Sequence, residues 1–170
     1  MNTAVHPNDT LKFLQSIAPT PEQVLSAVGL EGALPVNPAD VANQLGVNCI
    51  EVPAADLAMA IGRPSVEGVS HYRAEDDTYW IVYGSEWHEH AKRFTIAHEL
   101  GHVILHKSYL PLARNRAVNQ QLETAANRFA AGLLMPQSLI RRYIALPASE
   151  VARVFRVSPR AAEIRLSNVG

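Results

Sequence analysis

The sequence predicts an α+β domain, and three observations in chain order predict it. Two short helices with complete start and stop signals come first. A small antiparallel sheet of about three strands follows, and longer helices, one carrying the string H-E-x-x-H, fill the second half.

The N-terminal helices are punctuated by proline and glycine. Thr20-Pro21-Glu22-Gln23 offers an N-cap, a proline at the first helical position and a Gln three residues after the cap, with Gly29 as the stop. Asn37-Pro38-Ala39-Asp40 repeats the device and Gly46 ends it. A weaker helix is expected around residues 10–17, with residues 1–20 otherwise loosely ordered.

Val47 to Val52 alternates like a strand and stops at Pro53, while Val66–Arg73 and Thr78–Tyr83 flank the acidic Glu75-Asp76-Asp77 and read as a hairpin. From Ser85 as N-cap, a long helix is expected to run through Phe94 and the motif to about His106. Pro111 and the polar run Ala113 to Asn119 suggest a loop, and Gln121 to Leu134 a returning helix ended by Pro136. Short helices over 137–145, 149–155 and 159–167 complete a C-terminal helical subregion. Without repeats or a low-complexity linker, residues 1–170 are expected to form a single domain.

Composition narrows the classes of function. With 48% hydrophobic residues the chain can bury a real core, and a net charge of -1 speaks against a surface dominated by phosphate contacts. No run of 18 apolar residues occurs and the start lacks a basic, apolar signal segment, so the expectation is a cytoplasmic protein without membrane contact. Cys49 is the single cysteine; its place in the alternating run 47–52 assigns it a structural strand position.

The chemistry lies in His98-Glu99-Leu100-Gly101-His102. Residues four apart share a helix face, so both imidazoles can bind one ion, and Glu99 falls beside them as a general base for a polarised water. Given seven His and eleven Glu in 170 residues, chance would produce roughly 0.02 such strings. A catalytic site of this kind needs a third protein ligand. The metzincin spacing would require Gly and His where the chain has Leu105 and Ser108. Glu123, the only carboxylate between Glu99 and Glu150, is the candidate; its alternative is a solvated acid in the first turn of the next helix.

Asn127, four residues later, could orient a ligand or simply pack the helix. His106 is rotated off the ligand face and is a poor fourth ligand. With Tyr109, Tyr143 and a sheet-edge N–H it forms the set of candidate oxyanion donors. His88 and His90 are expected at the surface.

Two long stretches carry a resemblance. Arg93-Phe94-Thr95-Ile96-Ala97-His98-Glu99-Leu100-Gly101-His102-Val103-Ile104-Leu105-His106, followed by Glu123 through Met135-Pro136, resembles the ImmA/IrrE family of metallopeptidases, most closely over residues 93–136. The resemblance implies a zincin-like fold, His98, His102 and Glu123 as ligands of one divalent ion, Glu99 as base, and a helix-turn-helix repressor as protein substrate. Zinc is the expected ion, although manganese and iron accept the same donors.

Two competing readings carry their own observations. A non-cleaving regulator with a structural metal would act on the same kind of partner but would not need Glu99. Residues 141–170 hold six arginines against Glu150 and Glu163, and Glu150–Leu166 has a helix-turn-helix rhythm that could suggest DNA binding. The expectation is a helical cap with a solvated basic face, without direct nucleic-acid binding.

Overall fold

Local hydrogen bonds fix the first helices where the sequence places them. The computed structural model describes residues 7–107 and 116–169. Helix α1 spans Pro7–Ile17 and buries Leu11 and Leu14, so it is longer and better anchored than its sequence suggests. Helix α2, Pro21–Ala27, starts with the capping box between Thr20 and Gln23. Helix α3, Pro38–Gln44, is capped by the Asn37 side chain on the Ala39 N–H, and Gly29 and Gly46 take the positive φ that turns the chain out of each.

Strand β1 is Val47–Val52. Helix α4, Ala54–Ile61, follows and was not expected from the sequence; the Glu86 carboxylate accepts its first N–H, that of Ala54, at 2.7 Å, and Gly62 ends it. Strands β2, Gly68–Arg73, and β3, Thr78–Gly84, form the expected antiparallel hairpin across the Asp76-Asp77 turn. β1 joins the other side of β3 in parallel, giving the order β1-β3-β2, so the sheet is mixed. The parallel pairing follows from α4 and β2, which carry the chain round before β3 is laid down.

Helix α5 runs Glu89–His106 and begins three residues later than the Ser85 cap would have it, with His88 in the cap position. The residues before it are committed elsewhere: the Ser85 N–H donates to the Val52 carbonyl at 2.8 Å and Glu86 caps α4. Helix α6, Arg116–Leu134, begins before the expected Gln121, so residues 116–119 are helical rather than loop. The rest of that expected loop lies outside the described residues. After α6 come α7, Gln137–Ile140, a 3-10 turn at Arg141–Tyr143, α8, Ala148–Phe155, and α9, Pro159–Ser167.

One core joins these elements. Ala97, Leu100, Val103 and Ile104 of α5 meet Phe129, Ala130 and Leu133 of α6, with Ile81 of β3 and Phe155 of α8 in the same cluster. Because α1, α3, α6, β2 and β3 all pack on α5, that helix is buried on most of its circumference and has no single apolar stripe. Arg93 is buried at its start. Its guanidinium donates to the carbonyls of Val36 at 2.6 Å, Arg156 at 3.0 Å and Phe155 at 3.4 Å, tying α5 to the loop before α3 and to the end of α8.

Cys49 faces Ile81 across the sheet and is partly buried, and burial pushes its thiol up to about 11. That matches the inert strand position expected of it.

Candidate metal centre

Gly101 sets how closely α5 and α6 approach. A β carbon there would lie 3.1 Å from Phe129 Cδ1 and 3.3 Å from the Ala126 Cα, so a glycine allows near backbone contact at that crossing. The crossing brings Glu123 over the two motif histidines. Glu123 sits two turns inside α6 rather than in its first turn, which removes the helix-dipole explanation for it.

Three potential ligand atoms converge there. The Glu123 carboxylate lies 3.2 Å from His98 Nε2 and 3.4 Å from His102 Nε2, the two Nε2 atoms are 3.0 Å apart, and one donor atom from each residue fits within a 4.8 Å span. His102 is 2% exposed at its side chain and His98 15%, whereas Glu123 is 46% exposed and closes the site from the solvent side. Two imidazole nitrogens and a carboxylate, all turned to one point, suit a divalent ion of the zinc type.

Both imidazoles are held from behind. Asn127 Oδ1 lies 2.9 Å from His98 Nδ1, a pairing that puts a proton on Nδ1 and leaves the Nε2 lone pair facing the centre. His106 Nδ1 lies 3.0 Å from His102 Nδ1 and so stands behind that ring rather than in the donor set. Burial, then the neighbouring His98 and His106, hold His102 down at about 3 and keep it neutral.

Glu99 is buried beside the pair, and desolvation raises its pKa above the usual carboxylate range, while Ser70 and His98 act in the opposite direction. The edge strand β2 can lie against it because residue 68 is glycine: a β carbon there would stand 2.3 Å from Thr95 Cγ2 and 3.6 Å from Glu99 Cγ. Gly68 carries no motif that marks it in the sequence. An isolated glycine within the expected strand 66–73 is its one signal there.

A cleft of about 630 Å³ opens over the centre, bounded by Ile61 and Arg63 after β1, by Val66 to Val69 at the sheet edge, and by Phe94 and Asn127. Of the candidate oxyanion donors, Tyr143 is placed away from it, packed edge-on against Phe155 with ring centroids 5.5 Å apart. Tyr109 lies outside the described residues. His88 and His90 are exposed at the start of α5, as expected. The rhythm over Glu150–Leu166 does form two helices, but Arg165 is half-buried and donates Nε to the Met135 carbonyl at 3.1 Å. No helix among the described residues is long and apolar enough to cross a membrane.

Comparison with known proteins bears on this geometry. Residues 56–167, from α4 through α9, match the peptidase M78 family described as an IrrE N-terminal-like domain. The chain is also 28% identical over 111 residues to Metallopeptidase ImmA of Bacillus subtilis, a similarity that takes in 60% of this chain and 63% of that protein. The matched segment contains the motif helix, the returning helix with Glu123, and the edge strand between which the cleft opens. On that match, the chain belongs to the M78 peptidase family of IrrE N-terminal-like domains.

Proposed function

We propose that this chain is a metal-dependent endopeptidase in which His98, His102 and Glu123 hold one divalent ion, zinc by preference, and Glu99 is the general base. The observation that carries it is the convergence of two imidazole nitrogens and a carboxylate within 4.8 Å, with a second, buried carboxylate alongside. An ion held there would polarise a scissile carbonyl and lower the pKa of a bound water toward neutrality.

The residues do the rest. Asn127 and His106 keep the two rings in the tautomer that offers Nε2. Glu99, its pKa raised by burial, accepts a proton from the attacking water and passes it to the departing amine. The outer edge of β2, which borders the cleft at Gly68 and Val69, offers backbone groups to an extended peptide in the manner of an added strand. A structural metal site would have no use for Glu99, which favours the cleaving reading over a binding-only regulator.

The substrate class follows from the family resemblance: a helix-turn-helix transcriptional repressor whose cleavage releases stress-response or mobile-element genes. The test is intact-mass analysis of a repressor encoded beside this gene, incubated with the zinc-loaded protein. Two fragments whose masses add up to the repressor plus one water, absent when a chelator is included, are expected. An uncut repressor, or cutting that ignores the chelator, would refute the proposal.

A further inference from the structure

A second groove, of about 800 Å³, opens between the start of α5, the outer face of α6 and α9. Its apolar wall is made by Phe94 of α5, Leu134 and Met135 at the end of α6, and Val157, Ala161 and Ile164 at α9. Ile164 is 48% exposed, a large aliphatic side chain left in water. Arg128 and Arg165 flank this wall, and Glu67 is the single carboxylate along it among the described residues.

The groove adjoins the metal cleft. Glu67, Phe94 and Asn127 line both. Since Asn127 Oδ1 is 2.9 Å from His98 Nδ1, the groove begins one side chain away from a proposed ligand. A chain laid across the ion would therefore enter it within a few residues of the scissile bond.

We propose that this groove is a substrate-selecting subsite, which takes a large aliphatic or aromatic side chain of the peptide beside the cut together with a carboxylate a short distance farther along. This rests on the peptidase reading above. The apolar wall supplies the driving force for the first group and the two arginines the charge match for the second. The volume is of the size that ordinary ligand sites have, enough for more than one side chain. A nucleic-acid backbone would gain nothing from the apolar wall, so a peptide is the occupant that uses both features.

The experiment has two parts, both on the zinc-loaded full chain. Anilinonaphthalenesulfonate, an aromatic body with one anionic group, is titrated first into wild type, Ile164→Glu and Arg128→Glu. Both substituted residues are exposed, so the fold should tolerate them. Saturable binding is expected, weakened roughly tenfold in Ile164→Glu and severalfold in Arg128→Glu. Equal dye affinity in all three proteins would overturn the subsite.

A peptide library made by digesting a bacterial proteome is then exposed to wild type and Ile164→Glu. Wild-type products should share a large apolar residue at a fixed offset from the cut and an acidic residue beyond it; Ile164→Glu should still cut but lose that preference. Cutting without the preference overturns this inference alone. An absence of any cutting by the metal-loaded wild type overturns the peptidase reading and this inference with it.

Discussion

Replacing Gly68 by alanine sets a steric cost against a conformational gain. The new methyl would stand 2.3 Å from Thr95 Cγ2 and 3.2 Å from the Val82 carbonyl oxygen, against roughly 3.5 to 4 Å for a relaxed carbon contact. Thr95 is 4% exposed and β-branched, so its methyl cannot swing into solvent. Overpacking of this kind costs about 1–3 kcal/mol, whereas removing a glycine from a strand recovers about 0.5–1 kcal/mol. The steric term wins, and Gly68→Ala should be destabilised by roughly 1–2 kcal/mol. Thr95→Ser deletes the offending methyl, so the double variant should lose much less than the sum of the singles, with a coupling of about 1 kcal/mol or more. Urea unfolding of the four proteins measures it. Additive effects, or a Gly68→Ala protein as stable as wild type, would show that the close approach of β2 to the motif helix is not what requires glycine.

Further predictions address the centre and its support. Asn127→Ala should retain the fold yet bind zinc about 10–100-fold more weakly in competition with a chelating dye, and an unchanged affinity would remove Asn127 from the orienting role. Arg93→Ala strands three carbonyls and should cost about 3 kcal/mol or more by denaturant titration; a loss below about 1 kcal/mol would mean that the tie between α5 and α8 is not built on this side chain. The metal-free protein should lose stability on acidification from 6.5 toward about 3, because the unfolded chain takes up a proton that native His102 refuses. That slope is at most about 1.4 kcal/mol per pH unit. Glu99, shifted upward, tilts the opposite way above 4.5, so the informative quantity is the difference between wild type and His102→Gln in melting temperature at about pH 7 and pH 5. Identical slopes would refute the assignment.

What could be read from the sequence was what depends on near neighbours. The caps at Thr20 and Asn37, each followed by proline, act within three residues and appear as written. The motif and the hairpin are local too. What stayed hidden depends on distant partners: α4 is capped by Glu86 from beyond β3, and the start of α5 is delayed because Val52 and α4 occupy the residues a helix would have used. The parallel attachment of β1 is likewise a matter of topology. Glu123 could be nominated as the remaining carboxylate, but its distance to the histidines is set where Gly101 meets Ala126 and Phe129, a contact between helices that no spacing rule contains. Gly68 escaped for the same reason, since its role exists only once β2 lies on α5.

The central claim is that Glu99 moves the proton while His98, His102 and Glu123 hold the ion, and Glu99→Gln separates the two. Zinc content by elemental analysis and cleavage of the candidate repressor by intact mass are measured together on wild type and variant. One equivalent of zinc in both proteins, with fragments from the wild type alone, is the predicted result. Fragments produced by purified, zinc-loaded Glu99→Gln at the wild-type rate would contradict it.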